Sequence, residues 1–202
     1  MRWGNRLTRR PSGRAVTGAF IRAAPGKHAR MNRVRRQGRS AATRWKTYGA
    51  TTAAVTTAAV LGATAVDADD GWYRSLSKPP WQPPSWAFGA VWTPLYASIA
   101  WATGRALLRA RGAERRALAA SVGTNLALNA AWNHLFFGLR SPSAGVAGTV
   151  LLDASNAELL RRAARIDTAA ALALLPYAAW CGFATALNID IAVRNRPGAA
   201  TG

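Results

Sequence analysis

Residues 72 to 86 read Trp72-Tyr73-Arg74-Ser75-Leu76-Ser77-Lys78-Pro79-Pro80-Trp81-Gln82-Pro83-Pro84-Ser85-Trp86. Proline has no backbone N–H and pushes the residue before it toward extended backbone, so neither proline pair can sit inside a helix. The stretch is therefore expected to be stiff and extended. Its Trp and Tyr side chains have apolar bodies and polar tips, which settle where lipid meets water. Segments flanking such a strip should cross a bilayer.

Their composition allows it. Residues 47–66, 79–104, 117–139 and 168–189 contain no Asp, Glu, Lys or Arg, and a helical span needs about 20 apolar residues. A fifth, weaker stretch, residues 143–160, carries Asp153 and Glu158. A soluble protein of this size would not need so many helices apolar on every side. The expected fold is an all-α integral membrane bundle of five transmembrane helices over residues 47–195, with a Pro/Trp-rich first loop. The first span, mostly Ala and Thr, is read as retained, although Ala63-Thr64-Ala65 could pass for a signal cleavage site. The one cysteine, Cys181, excludes an internal disulfide and a cysteine metal cluster.

Charge is distributed unevenly. Residues 1–46 hold 14 of the 27 Lys and Arg and no acid, so the net charge of +19 belongs mostly to this extension. A run such as Arg30, Arg33, Arg35, Arg36 and Arg39 repels itself and lacks apolar periodicity, so disorder is expected throughout residues 1–46. Met31 offers an alternative start, which would make the first 30 residues a mis-assigned extension. Residues 196–202 form a short C-terminal tail. The extension has no zinc spacing and no recognition-helix pattern, so the bilayer, whose anionic lipids attract basic residues beside a span, is the expected partner and nucleic acid is not. Its Arg-rich, acid-free character also resembles an organelle transit peptide. The Ala, Gly and Arg bias of the whole chain instead fits a bacterial cell-membrane protein. Even without the extension the loops are asymmetric. Arg105, Arg109, Arg111, Arg115, Arg116, Arg161, Arg162 and Arg165 lie on the N-terminal side, against Arg74, Lys78, Arg140, Arg194 and Arg196 on the other. The N-terminus is thus expected in the cytoplasm and the C-terminus outside.

The string WYxxLxKPPWxPPxW resembles the first loop of the TspO/MBR family, the tryptophan-rich sensory proteins and translocator proteins. The resemblance continues in order through Val91-Trp92-Thr93-Pro94-Leu95-Tyr96, then Asn125-Leu126-Ala127-Leu128-Asn129 to Trp132 and Leu135-Phe136-Phe137-Gly138. It ends with Pro176-Tyr177-Ala178-Ala179-Trp180 and Ala184 through Asn188. It implies a five-helix bundle, often a homodimer, with a pocket under the first loop for a planar hydrophobic ligand, above all a porphyrin: protoporphyrin IX or a haem-related tetrapyrrole. No cofactor is required beyond that ligand. Helical spacing gives an independent test. Phe88, Trp92, Tyr96 and Thr103 share one face, as do Asn125, Asn129, Trp132 and Phe136, and likewise Tyr177, Trp180, Ala184 and Asn188. Asn in hydrocarbon needs partners, so these amides should point inward. The small residues Ala178, Ala179, Gly182 and Ala184 should leave room beside the aromatics.

Ordinary helix packing, with Asn bridging helices, is the competing account of each residue taken singly. Large planar aromatics beside a few polar groups are nevertheless what a flat, mostly apolar ligand requires. The ligand-binding candidates implied by the resemblance are Tyr73, Pro83, Trp92, Tyr96, Asn125, Asn129, Trp132, Trp180 and Ala184, with Trp92 and Trp180 foremost. Three departures from the family pattern limit it. Gly148 stands where an acidic residue is usual, and Asp153 is not its helical equivalent. Asn125 replaces a Gln, shortening one reach into the pocket. The stretch from Leu187 to Arg194 lacks the Tyr of the sterol-recognition motif, which lowers the expectation of sterol binding. Asp153 reads equally as functional or as a neutral hydrogen-bonded group. Glu158 should pair with Arg162, and His134 should make a helix-end hydrogen bond rather than ligate haem. No Ser/His/Asp set, phosphate-cradling Gly loop or carboxylate pair is present.

The expected function is a membrane receptor or sensor that binds porphyrin-type tetrapyrroles and regulates or sequesters them. The rivals are light- and oxygen-dependent porphyrin degradation through Trp92 or Trp180, a transporter of tetrapyrrole or another metabolite, and a scaffold acting through its basic extension.

Overall fold

The computed structural model describes residues 27–67 and 69–196, with side chains from residue 40 onward. Six α-helices and one π-helical turn account for its regular structure: α1 Lys27–Ala63, α2 Gly71–Ser75, α3 Ser85–Arg109, α4 Gly112–Asn133, the π turn His134–Gly138, α5 Pro142–Ile166 and α6 Thr168–Arg194. The described residues contain no strand. The chain divides into a unit ending at Arg39 and a larger one beginning at Ser40.

Each of the five apolar stretches carries a long helix, but two expectations are corrected. The basic segment is helical from Lys27 onward, so disorder does not hold for residues 27–46. Its Arg and Lys are good helix formers and it contains no proline after Pro25, so the apolar run behind it can propagate back through it. Residues 1–26 and 197–202 lie outside the described residues. The first loop is also not extended throughout, because Asp70 accepts a hydrogen bond from the Trp72 backbone N–H and caps the short α2. Extended backbone follows at Leu76, and both proline pairs lie between helices. Among the described residues, α6 is the one helix whose length and composition suffice for a membrane span, with a mean hydropathy of 1.6 over its most apolar window.

The bundle is assembled by α5 on α6, α4 on α5 and α3 on α6. Ile99, Leu118, Leu159 and Leu174 form its fully buried apolar centre. Glycines allow close approach on one side: a Cβ on Gly148 would meet Leu135 and Trp132, and one on Gly145 would lie 2.5 Å from the Phe136 ring.

Polar side chains tie four helices together. Tyr96 Oη on α3 donates to Asn129 Oδ1 (3.2 Å), Asn129 Nδ2 donates to Tyr177 Oη (3.3 Å) and Tyr177 Oη donates to Asn125 Oδ1 (2.9 Å). Asn125 Nδ2 donates in turn to Asn156 Oδ1 at 2.8 Å and Ser155 Oγ at 3.2 Å on α5. In an apolar interior each such interhelical bond is worth roughly 0.6–2 kcal/mol. Asp153 Oδ2 accepts from Thr185 Oγ1 at 2.6 Å, linking α5 to α6. Glu158 pairs with Arg162 at 2.6 Å and with Arg161 at 2.7 Å.

At the end of the bundle where α5 meets α6, Asp167 accepts from Arg105 Nε at 2.9 Å, forms an ion pair with Arg109 Nε at 2.7 Å, and caps α6 through the Ala170 N–H. The Arg105 hydrogen bond first, then the Ala170 N–H and the charges of Arg105 and Arg109, outweigh desolvation and hold the Asp167 carboxyl below its ordinary value of 3.8. A carboxylate with a depressed folded-state pKa adds stability above its unfolded pKa and loses it as pH falls through the folded value. Detergent-solubilised protein is thus expected to lose thermal stability as the pH is lowered from 5 to below 3.8. The Asp167→Asn variant should be less stable at pH 7 and show a shallower acid slope. An identical slope in both proteins would mean that other carboxylates carry the effect.

Candidate functional site

Between the helices and beneath the first loop lies a cavity of about 370 Å³, within the range usual for small-molecule sites. Phe88, Trp92 and Tyr96 reach it from α3, recurring every four residues and so sharing one helical face. Asn129 and Trp132 enter from α4, followed by Phe136 and Phe137 from the π turn. From α6 come Trp180, Cys181, Ala184 and Asn188, and from the loop Tyr73 and Gln82.

The aromatic rings are ordered against one another. Trp92 stacks on Tyr96 with centroids 5.0 Å apart, Trp132 on Phe136 at 5.7 Å, and Trp180 on Phe183 at 5.0 Å. Phe88 meets Trp180 edge-on at 6.0 Å. Pairs of this kind hold each indole in one orientation before any ligand arrives. Beneath them, Tyr96 and Asn129 belong to the polar chain that links α3 to α6, so the floor is held by hydrogen bonds.

The roof is held at both ends. The Ser77 N–H donates to Asn195 Oδ1 and Asn195 Nδ2 donates to the Ser77 carbonyl, both at 2.9 Å, while Trp81 Nε1 donates to Asp190 at 3.0 Å. On the other side Arg140 donates to Asp70 through Nε at 3.1 Å and Nη2 at 3.3 Å. Arg140 has φ of +48°, a backbone region that costs a non-glycine residue about 1–2 kcal/mol. The loop-side ion pair is what that conformation obtains. Inside the loop, Gln82 Nε2 donates to Tyr73 Oη at 3.2 Å and Lys78 Nζ stands 4.0 Å from the Tyr73 ring centroid. Burial, partly countered by the Gln82 hydrogen bond, raises the Tyr73 phenol above its ordinary pKa.

Seven of the nine candidates line the cavity: Tyr73, Trp92, Tyr96, Asn129, Trp132, Trp180 and Ala184. Asn125 does not. It lies one turn deeper than Asn129, is fully buried, and both ends of its amide are engaged by Tyr177, Ser155 and Asn156. Its shorter side chain therefore completes the interhelical network and does not reach the cavity. Pro83 is also outside the lining, because in extended backbone neighbouring side chains alternate and it is Gln82 that turns inward. Gly182 and Ala179 face outward, leaving Ala184 to provide the room. His134 reaches from the π turn to the Leu61 carbonyl at 3.1 Å and does not line the cavity. Sequence reasoning missed Gln82 and Cys181 altogether. An amide between two proline pairs was a usable signal for Gln82, whereas a single cysteine among alanines gave none.

The sequence matches the TspO/MBR family over residues 50–194. It is 37% identical over 125 residues to the tryptophan-rich protein TspO of Chlorobaculum tepidum, covering 59% of this chain and 77% of that one. Identity is 36% over 132 residues to the tryptophan-rich sensory protein of Cereibacter sphaeroides (63% and 80% covered) and 34% over 119 residues to the human translocator protein (58% and 70%).

Proposed function

The chain belongs to the TspO/MBR family, a membrane family, and from that premise we propose that it is a five-span membrane receptor that binds porphyrin-type tetrapyrroles and thereby regulates or sequesters them. The observation that carries the reading is the cavity itself: three indoles, Trp92, Trp132 and Trp180, converge on it from three different helices. Stacking surfaces that converge on a mostly apolar space suit a flat ligand far better than a flexible or a small polar one. The names of the relatives, tryptophan-rich sensory protein and translocator protein, agree with a ligand-responsive role.

In this reading α1, α3, α4, α5 and α6 cross the membrane, as a homodimer in a bacterial cell membrane, with the N-terminus cytoplasmic. The uneven distribution of basic residues between loops supports that orientation. Titration of protoporphyrin IX into detergent-purified protein, followed by Trp fluorescence, tests the assignment. Saturable one-site quenching is expected, and unsaturable quenching proportional to detergent would remove the porphyrin claim.

A second reading, light- and oxygen-dependent breakdown of the bound porphyrin, is favoured by the positions of Trp92 and Trp180 in the same lining. It requires a new absorbing product under illumination that is lost when either Trp is replaced by Phe. A spectrum that only bleaches, equally in wild type and variants, would sink it.

A further inference from the structure

Trp81 in the roof loop and Phe183 and Asp190 on α6 all lie outside the cavity lining, yet they are joined to it by contact. The Trp81 indole N–H donates to Asp190 Oδ2 at 3.0 Å, and Arg194 Nε donates to Oδ1 at 2.6 Å, so both oxygens of this carboxylate are engaged. The Trp81 ring meets Phe183 edge-on with centroids 5.8 Å apart. Phe183 stacks on Trp180 at 5.0 Å with 28° between the planes, and Trp180 lines the cavity. Residues 180, 183, 190 and 194 fall on one face of α6 by helical spacing, which lets a single loop indole touch both Asp190 and Phe183 along it. Trp81 is 44% exposed, so packing alone does not fix its place. A hydrogen bond to a charged acceptor is directional and stronger than one between neutral groups, and here it decides where the indole rests.

We infer that Asp190 is a positioning residue of the candidate site: its carboxylate holds the Trp81 indole against Phe183, and Phe183 in turn fixes the plane that Trp180 presents to a bound ligand. Asp190 does not line the cavity and acts through the two rings. The inference rests on the tetrapyrrole reading for its effect on affinity, whereas the orientation of Trp180 is a property of the empty protein. A ring whose plane is set beforehand leaves less ordering to be done when a flat ligand stacks on it.

Fluorine NMR of the full chain, labelled with fluorotryptophan in detergent, tests it. The Trp180 and Trp101 resonances are assigned by their loss in Trp180→Phe and Trp101→Phe. Asp190→Leu removes the acceptor, Asp190→Asn keeps one, and Trp81→Phe keeps a ring against Phe183 but removes the donor. Without ligand, Asp190→Leu and Trp81→Phe are expected to displace or broaden the Trp180 resonance and leave that of Trp101 unmoved, with Asp190→Asn close to wild type. Protoporphyrin IX affinity should fall roughly three- to tenfold in the first two variants, the net worth of one hydrogen bond, and recover in Asp190→Asn. A Trp180 resonance that stays in place in Asp190→Leu would overturn the inference even if affinity fell, since Asp190 would then act by anchoring the roof alone. Equal displacement of Trp180 and Trp101 would overturn it too, because the substitution would then disturb the bundle at large. So would a displaced Trp180 resonance with saturable protoporphyrin binding as tight as in wild type, and that result would leave the tetrapyrrole reading intact. Absence of saturable protoporphyrin binding in wild type, with the Trp180 resonance responding as expected, would remove the tetrapyrrole reading and support the orienting role of Asp190.

Discussion

Gly145→Ala is expected to destabilise the protein by about 2 kcal/mol, even though alanine is the better helix former. A Cβ at this position would lie 2.5 Å from Phe136 Cδ2 and 2.9 Å from Asn188 Oδ1. The first neighbour is a ring on the π turn, 3% exposed and wedged against Trp72, Trp132 and Phe137, so it has no free rotamer into which to move. Overpacking of this kind costs about 1–3 kcal/mol, occasionally more, against a helix-propensity gain of about 1 kcal/mol. The clash should prevail, and Gly145→Leu should abolish the folded bundle. Gly123→Ala is the matched control, because a Cβ there meets nothing within 4 Å and only the propensity term remains. Thermal unfolding followed by circular dichroism in detergent would decide. Equal stability of Gly145→Ala and Gly123→Ala would mean that α5 can move away from the π turn at no cost.

Trp180→Ala should weaken protoporphyrin binding by roughly 30- to 150-fold, the 2–3 kcal/mol typical of a central aromatic contact. Trp180 is held between an edge-on Phe88 and a stacked Phe183, so its indole plane is fixed before the ligand enters and little ordering entropy is left to offset. Trp92→Phe should cost less, because a phenyl ring can keep the stack on Tyr96. Trp101→Phe serves as the reference. That indole lies beyond the cavity lining, 44% exposed with the Arg105 guanidinium over it, and its replacement should leave affinity unchanged. The same loss in all three variants would point to partitioning into detergent and away from this cavity.

Much of the architecture was legible because the signals were periodic. Uncharged apolar runs marked four of the five long helices, the fifth being a weaker run that carries Asp153 and Glu158, and four-residue spacing placed Phe88, Trp92 and Tyr96 on one face. The proline pairs fixed where helix could not occur. What they could not reveal was the Asp70 cap, a local hydrogen bond that makes residues 71–75 helical, or the helix running back through the basic segment to Lys27. Asn125 and Asn129 illustrate the limit at the site. Both are buried amides on one face of α4, and periodicity treats them alike. Tyr177 bonds both; their remaining partners on other helices separate them, Ser155 and Asn156 taking Asn125 wholly into the interhelical network while Asn129 pairs with Tyr96 and also lines the cavity. Gln82 was hidden for a related reason: in a loop, the direction of a side chain depends on where the loop is anchored, and here the anchors are Asn195, Asp190 and Arg140, far away in sequence.

Tyr177 also imposes an order on biosynthesis. Chains grow from the N-terminus, so α4 leaves the ribosome before α6 exists. During that interval Asn125 has only Ser155 and Asn156 to turn to, and Asn129 only Tyr96. The last helix brings the hydroxyl that completes both amides at once. A nascent bundle stalled before residue 177 would leave both amides incompletely paired. Arrival of α6 is then the event that commits the polypeptide to its final form.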